Sequence, residues 1–244
     1  MAHRFYAEEA AGADRFFLTA EDAHHALRVL RMQPGEELEL FAGGRRMLAA
    51  LEAPDASGRL PARVIRPLPS TETALRLTLV QGLPKADKME WIIQKAVELG
   101  VARIVPVRMS RCVVRLDDRD AEKKLLRWQR IAREAGKQSG RCVIPEVASP
   151  VDLRQVPSLA AALDACVVPW EECEGRGPLA FHNAHPALAS LGIVIGPEGG
   201  IAPEEIAQLS DCIPITLGRR ILRTETAGLA AAAAFLALYG EMES

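Results

Sequence analysis

Two short apolar runs in the C-terminal third, each broken by glycine, constrain this chain more than any other feature. Residues 191–200 read Leu-Gly-Ile-Val-Ile-Gly-Pro-Glu-Gly-Gly, and residues 217–227 read Leu-Gly-Arg-Arg-Ile-Leu-Arg-Thr-Glu-Thr-Ala. The runs 193–195 and 213–217 have the pattern of buried parallel strands that end in sharp loops. Ligands of open α/β sheets bind beyond the carboxyl ends of the strands, so two such loops in succession point to a pocket. The second loop feeds directly into a helix, with Thr224 as the expected N-cap and Glu225 in the first turn.

The chemistry of these loops excludes some pockets. Gly and Pro mark turns whatever their function, and the pentapeptide 196–200 alone decides little. No Gly-Lys-Ser/Thr follows it, so it is not a Walker loop. It is not a dinucleotide fingerprint either, because Pro197 and Glu198 fall where the backbone would have to approach a pyrophosphate. A carboxylate inside the loop suits a cationic or neutral ligand better than a phosphate. A nucleotide-binding α/β enzyme is disfavoured on that ground. The second loop, with three arginines, is hard to read as a turn alone.

At 244 residues and 49% apolar, the chain is long enough for a substantial core in one or two domains. Its five cysteines, odd in number and without Cys-x-x-Cys spacing, suggest reduced thiols and a cytoplasmic protein. The five histidines are not spaced to complete a zinc site, and no metal is expected. No secretory signal opens the sequence, and the longest apolar run, 227–239, is too short to span a bilayer. That run is more apolar all round than a monomer's surface helix, which burial in a homodimer would explain. The net charge of −2 hides an uneven distribution. Residues 103–141 hold twelve Lys and Arg against five Asp and Glu, between acidic flanks. Such a stretch is either a patch that neutralises backbone phosphates or the solvated face of an amphipathic helix over 118–137.

Residues 1–70 contain no lysine. Arginine, unlike lysine, binds phosphate bidentately and stacks on bases. Alternating segments at 37–41, 47–52 and 60–65, separated by Gly43-Gly44 and by 54–58, predict a small antiparallel barrel. A short helix and turn over 24–36 precede them. There His24 and His25 read as capping or packing residues, and Arg28 and Arg31, three apart on one face, as RNA contacts. The proline-containing polar run 66–73 is the best domain boundary, giving domains 1–70 and 74–244. Beyond it, strand 75–81 is followed by a helix with Asp87 as its cap. Its apolar positions Met89, Ile92, Ile93, Ala96, Val97 and Leu99 fit a 3.6-residue period, and Gly100 sits where a terminating glycine belongs. Strand 102–107 completes a βαβ unit, hence an α/β domain with a mainly parallel sheet.

The two glycine loops resemble the C-terminal signature of the RsmE family, small-subunit ribosomal RNA uridine N3-methyltransferases of the SPOUT class. Further blocks match in order: His24-His25 with Val29-Leu30-Arg31 and a Pro-Gly turn, then 81–89 with 94–100, then 127–135 running to 138–141 and 144–146. The resemblance covers nearly the whole chain and weakens over 170–186, which looks like a variable surface loop. It implies a PUA-like barrel followed by a SPOUT α/β domain whose C-terminal segment threads a trefoil knot, an exception to ordinary topology that no pattern predicts. It further implies S-adenosylmethionine as cofactor, 16S ribosomal RNA in the small subunit as partner, and a homodimer. Cofactor contacts would come from Ile195, Gly196, Pro197, Glu198, Gly199 and Gly200, from Ile215, Leu217 and Gly218, and from Leu222, Thr224 and Thr226. Glu198 would face the amino acid or sulfonium end.

Methyl transfer to uracil N3 needs donor and acceptor held in line, loss of a proton from the ring nitrogen, and stabilisation of charge spreading to the ring oxygens. Arg223 is the first candidate for that stabilisation, with Arg219 or Arg220 second. Glu225 is either a general base or a residue that holds the loop. Expected RNA contacts, besides Arg28 and Arg31, are Lys88, Arg111, Arg130, Glu134, Gln138, Ser139 and Arg141. Arg127, Arg130 and Glu134 share a helix face that equally suits an exposed ion-pair stripe. A ribose 2′-O SPOUT methyltransferase and a non-catalytic ribosome-assembly factor are the alternatives. Intact cofactor loops weigh against the factor, and the N-terminal barrel and the Thr-Glu-Thr-Ala block weigh against the 2′-O enzyme.

Overall fold

The computed structural model describes residues 3–10 and 14–243. They form two compact units, one of residues 1–72 with 136–143 and one of 73–135 with 144–244. The first unit is a closed five-stranded barrel of β1 (His3–Ala10), β2 (Arg15–Leu18), β3 (Glu37–Ala42), β4 (Arg45–Leu51) and β5 (Pro61–Leu68), with α1 (Ala20–His24) and a π-helical turn (His25–Val29) between β2 and β3. Alternation builds it: on β4, Met47, Ala49 and Leu51 turn inward while the residues between them are partly exposed. Gly43 and Gly44, at φ of 55° and 73°, make the two-residue turn from β3 to β4 that demands positive φ at both positions. The barrel is not wholly antiparallel. It closes through parallel pairing of β1 with β3, from His3 opposite Leu38 to Tyr6 opposite Phe41. Neither β1 nor that closure is visible in local sequence pattern, because the pairing is long-range.

The return of residues 136–143 to this unit departs from a boundary at residue 70. Glu72 holds the segment: its carboxylate accepts from Arg141 Nε at 2.9 Å and from the second guanidinium nitrogen at 2.6 Å, and from the Cys142 N–H at 2.7 Å. Thr71 donates to the Gly140 carbonyl, and Lys137 pairs with the buried Asp22 at 2.9 Å. The expected hinge thus ends in an anchored carboxylate.

The second unit holds β6 (Arg76–Gly82), α2 (Lys88–Leu99), β7 (Arg103–Arg108), most of α3 (Asp118–Ser139), β8 (Glu146–Val147), β9 (Val151–Asp152), α4 (Val156–Ala160), β10 (Ala165–Pro169), α5 (Pro178–Ala184), β11 (Ser190–Ile195), α6 (Pro203–Gln208), β12 (Ile213–Ile215) and α7 (Thr224–Leu238). The strands make one parallel sheet in the order β12-β10-β11-β6-β7-β8, with β9 also on β7. β6 and β11 lie side by side near the centre and are buried on both faces, as their continuous apolar runs require. Every apolar position read on α2 except Leu99 is buried, and Gly100, at φ 107°, closes the helix. Asp87 precedes α2 but makes no side-chain capping bond. α7 returns from the edge strand β12 to pack on α2, α5, β6 and β11. The expected α/β domain, after a PUA-like barrel, is what the chain forms.

Removing the Glu72 carboxylate takes its ion pair from a guanidinium whose side chain is 5% exposed, and its hydrogen bond from the Cys142 N–H. Glu72→Ala is expected to cost about 1–3 kcal/mol in urea unfolding of the full chain, with the loss concentrated in hydrogen-exchange protection of 136–143.

Candidate active site

Three segments meet at the carboxyl end of the central strands. β6 ends at Gln81-Gly82, β11 runs out through Ile195 into the loop 196–202, and β12 leads through 216–223 into α7. Gln81 is fully buried, and its amide donates to the Thr224 hydroxyl at 2.9 Å and to the Gly82 carbonyl at 3.1 Å. Thr224 donates in turn to the Gly196 carbonyl at 2.6 Å. Amide, hydroxyl and carbonyl thereby lock all three segments. Thr224 does not act as the expected N-cap; it is the first residue of α7, after Arg223, and its side chain is spent on this tie. The packing is close enough to require glycine: a Cβ on Gly82 would lie 2.7 Å from the Pro197 nitrogen, and one on Gly196 2.7 Å from Ile201 Cγ1.

These loops enclose a cavity of about 460 Å³. Of the residues expected to touch a cofactor, Ile195, Gly196, Pro197, Glu198, Gly199, Gly200, Leu222 and Thr224 line it, together with Arg223. Leu217, Gly218, Arg219 and Arg220 line an adjoining cleft that shares Leu222 and Ala227 with it. Ile215 is fully buried in β12, and Thr226 is exposed on α7. Glu205, buried on α6, steadies the loop 196–202 by accepting from the N–H groups of Ala202 and Ser110.

The electrostatics of the mouth centre on Lys88. Its ammonium lies 2.9 Å from Glu198 and 3.0 Å from Glu225, and the close contacts with Glu198 and then Glu225 raise its pKa above the ordinary lysine value. Partial burial pushes the Glu198 carboxyl up, but the bonds from Lys88 and from backbone N–H groups, that of Lys85 included, outweigh it and hold the pKa below the usual range. Glu225 is likewise held low, first by its own backbone N–H and then by Lys88 and Arg223. Both carboxylates are therefore ionised at neutral pH.

Other expected site residues fall elsewhere. In the second unit, Arg111 donates to the Gly199 carbonyl at 3.0 Å and braces the loop, while Arg130 and Glu134 are exposed on α3. Arg127, on the same face, is paired with Glu90. In the first unit, Arg28 and Arg31 are exposed, Gln138 is exposed, and Ser139 is partly buried. Arg141 is buried against Glu72, committed to holding its own segment. Sequence reading gave no role to Gln81, although an amide ending a mostly apolar strand was a signal. It also missed Glu171 and Ile201, which line the cavity. Glu171 belongs to the stretch 170–186 that looked like a variable surface loop; its backbone instead pairs with the second glycine loop, Trp170 N–H to Ile215 and Thr216 N–H to Arg176. Among the described residues, no group of His, Cys, Asp and Glu is placed to hold a metal, and no helix is long and apolar enough to cross a membrane.

If the Thr224 hydroxyl is what locks the loops, Thr224→Val is expected to cost about 1–2 kcal/mol of stability in thermal or urea unfolding. Thr224→Ser, which keeps the hydroxyl, is expected to stay close to the parent.

Comparison with known proteins agrees with this geometry. Residues 71–236 match the RNA methyltransferase domain family, and residues 18–57 match the RNA methyltransferase PUA domain. The ribosomal RNA small subunit methyltransferase E of Bacillus subtilis is 38% identical over 230 residues, 91% of this chain and 90% of the relative. Its counterpart from Mycobacterium tuberculosis is 36% identical over 217 residues, 86% of this chain and 82% of the relative. Among solved structures, a ribosomal RNA small subunit methyltransferase E from Neisseria gonorrhoeae, bound to S-adenosyl methionine, superposes with a TM-score of 0.79 at 35% identity over 98% of both chains. A putative methyltransferase from Legionella pneumophila, in complex with the same cofactor, gives 0.80 at 32% identity over 97% of this chain and 98% of the other. The chain belongs to the RNA methyltransferase domain family and, within it, to the ribosomal RNA small subunit methyltransferase E family.

Proposed function

We propose that this chain methylates N3 of a uridine in the 16S RNA of the small ribosomal subunit, using S-adenosylmethionine as methyl donor. The observation that carries the reading is the open cavity lined chiefly by 195–201 and 221–227, in a chain whose solved relatives hold S-adenosyl methionine. Its volume is that of a small-molecule site. The lining suits this cofactor on chemical grounds: apolar contacts from Ile195, Ile201 and Leu222, backbone groups of the glycine loops, and carboxylate at the Lys88 side for a cationic ligand. No Lys-bearing phosphate loop competes with that reading.

When bound, the cofactor supplies an electrophilic methyl group; the rest of the chemistry falls to side chains. Arg223, exposed at the cavity wall, is the donor for the uracil oxygens as the ring nitrogen loses its proton to solvent water and its electron pair takes the methyl group. Arg219 and Arg220 line the adjoining cleft, and their role in this reading is to meet the RNA backbone. Glu225 is paired with Lys88 and held at a low pKa, a weak base; its role is to hold the loop. Arg28 and Arg31 on the barrel, and Arg111, Arg130, Glu134 and Gln138, remain the RNA-contact candidates that are exposed, Arg111 being also bonded to the Gly199 carbonyl.

Three further features belong to the same proposal. The C-terminal segment is knotted, which its return from edge strand β12 to the middle of the sheet supports. The chain works as a homodimer through the apolar α7, whose Leu229, Ala233 and Leu238 stay partly exposed. It acts in the cytoplasm, where ribosomal RNA resides.

Labelled methyl transfer to unmethylated small subunits, naked ribosomal RNA and transfer RNA, with nucleosides identified by mass spectrometry, tests the reading. N3-methyluridine in small-subunit RNA is the expected product; 2′-O-methylated product or label in transfer RNA would contradict it. Arg223→Met is expected to lower kcat about 100-fold with cofactor affinity little changed.

A further inference from the structure

We propose that Lys88 is a positioning residue for methyl transfer: it latches the two cofactor loops together through Glu198 and Glu225 and makes no RNA contact. The inference rests on the reading of the cavity as the S-adenosylmethionine site. Lys88 is the first residue of α2, an element outside both glycine loops. Its single ammonium bridges a carboxylate from the loop after β11 and a carboxylate from the first turn of α7. Glu198 is fixed at a second point to the loop that leads into α2, accepting the Lys85 N–H at 3.1 Å. The loop after β11 is thus fastened to α2, and α7 is fastened to the same nitrogen.

The charges explain why the latch is needed. Without the ammonium, two ionised carboxylates would face each other at the cavity mouth, and their repulsion would drive the loops apart. The three side chains are 30%, 24% and 19% exposed, so solvent screens the pair only in part. Two carboxylates and one ammonium leave one negative charge, which suits the cationic sulfonium and amino groups of the cofactor. The Thr224 tie lies beneath, between backbone and buried amide; the Lys88 latch closes the outer edge of the same loops.

The test is equilibrium binding of S-adenosylmethionine to the full chain without RNA, beside steady-state kinetics. Lys88→Met is expected to weaken cofactor binding about tenfold, a coupling typical of residues in one charged network, while the KM for RNA is unchanged. Lys88→Arg, which can bridge both carboxylates, is expected to restore binding to within about twofold of the parent. In a Glu198→Gln, Glu225→Gln background, which has no repulsion to relieve, adding Lys88→Met is expected to change binding less than twofold. An unchanged cofactor affinity with a raised RNA KM would overturn the proposal in favour of an RNA contact. A full tenfold loss in the double-Gln background would overturn it by showing that Lys88 does not act through the carboxylates. Should Lys88→Met fail to fold by circular dichroism, Glu225→Gln and Lys88→Arg carry the same comparison. Parent protein that binds no S-adenosylmethionine would instead sink the reading of the cavity.

Discussion

The hydroxyl of Thr224 donates to the Gly196 carbonyl and accepts from the buried amide of Gln81, and on that pair of bonds the arrangement of the second unit depends. The three groups come from the ends of β6 and β11 and the start of α7, segments brought together by a parallel sheet whose central neighbours, β6 and β11, lie more than one hundred residues apart in sequence. A buried amide and hydroxyl left unpaired would each cost free energy, so the bonds hold the loops in one arrangement. Gly82 and Gly196 let the backbones approach closely enough for those bonds to form. The cavity walls formed by 195–201 and 221–227 hang from this junction.

Charge is layered over packing. Below, the locking groups are neutral and buried. At the mouth, Glu198, Glu225 and Lys88 form a solvent-edged cluster, and Arg111 braces the Gly199 carbonyl. Such a cluster adds little to global stability, but it sets loop spacing and the local field, which matter for a cationic cofactor. Arg223 lines the cavity wall beside that cluster, and its charge helps hold the Glu225 carboxylate ionised.

How much of this was legible in sequence depended on the range of the interaction. The strand ending at Ile195, the strand beginning at Ile213 (which stops at Ile215, two residues short of the apolar run) and the α2 periodicity were readable because they are local: apolar runs broken by glycine, and a 3.6-residue repeat. The glycine loops pointed to the pocket for the same reason. The Thr224 tie was not readable as such. A threonine at the start of a helix looks like a cap, and only the fold brings Gly196 and Gln81 to its hydroxyl. Lys88 and Arg141 show the same limit with charge. Both looked like cations available to RNA, yet one is bridged to two carboxylates and the other is buried on Glu72. The sequence carries those carboxylates in plain view, but pairing over 69 residues for Arg141 and over 110 and 137 for Lys88 has no local signature. The barrel's parallel closure through β1 escaped for the same reason.

The most direct test of the central claim, that the three locked segments form the S-adenosylmethionine site, is amide hydrogen exchange of the full chain with and without saturating cofactor. The account predicts slowed exchange confined to 195–201 and 216–227, with the end of β6 following through Gln81. Protection elsewhere, with these segments unchanged, would contradict it.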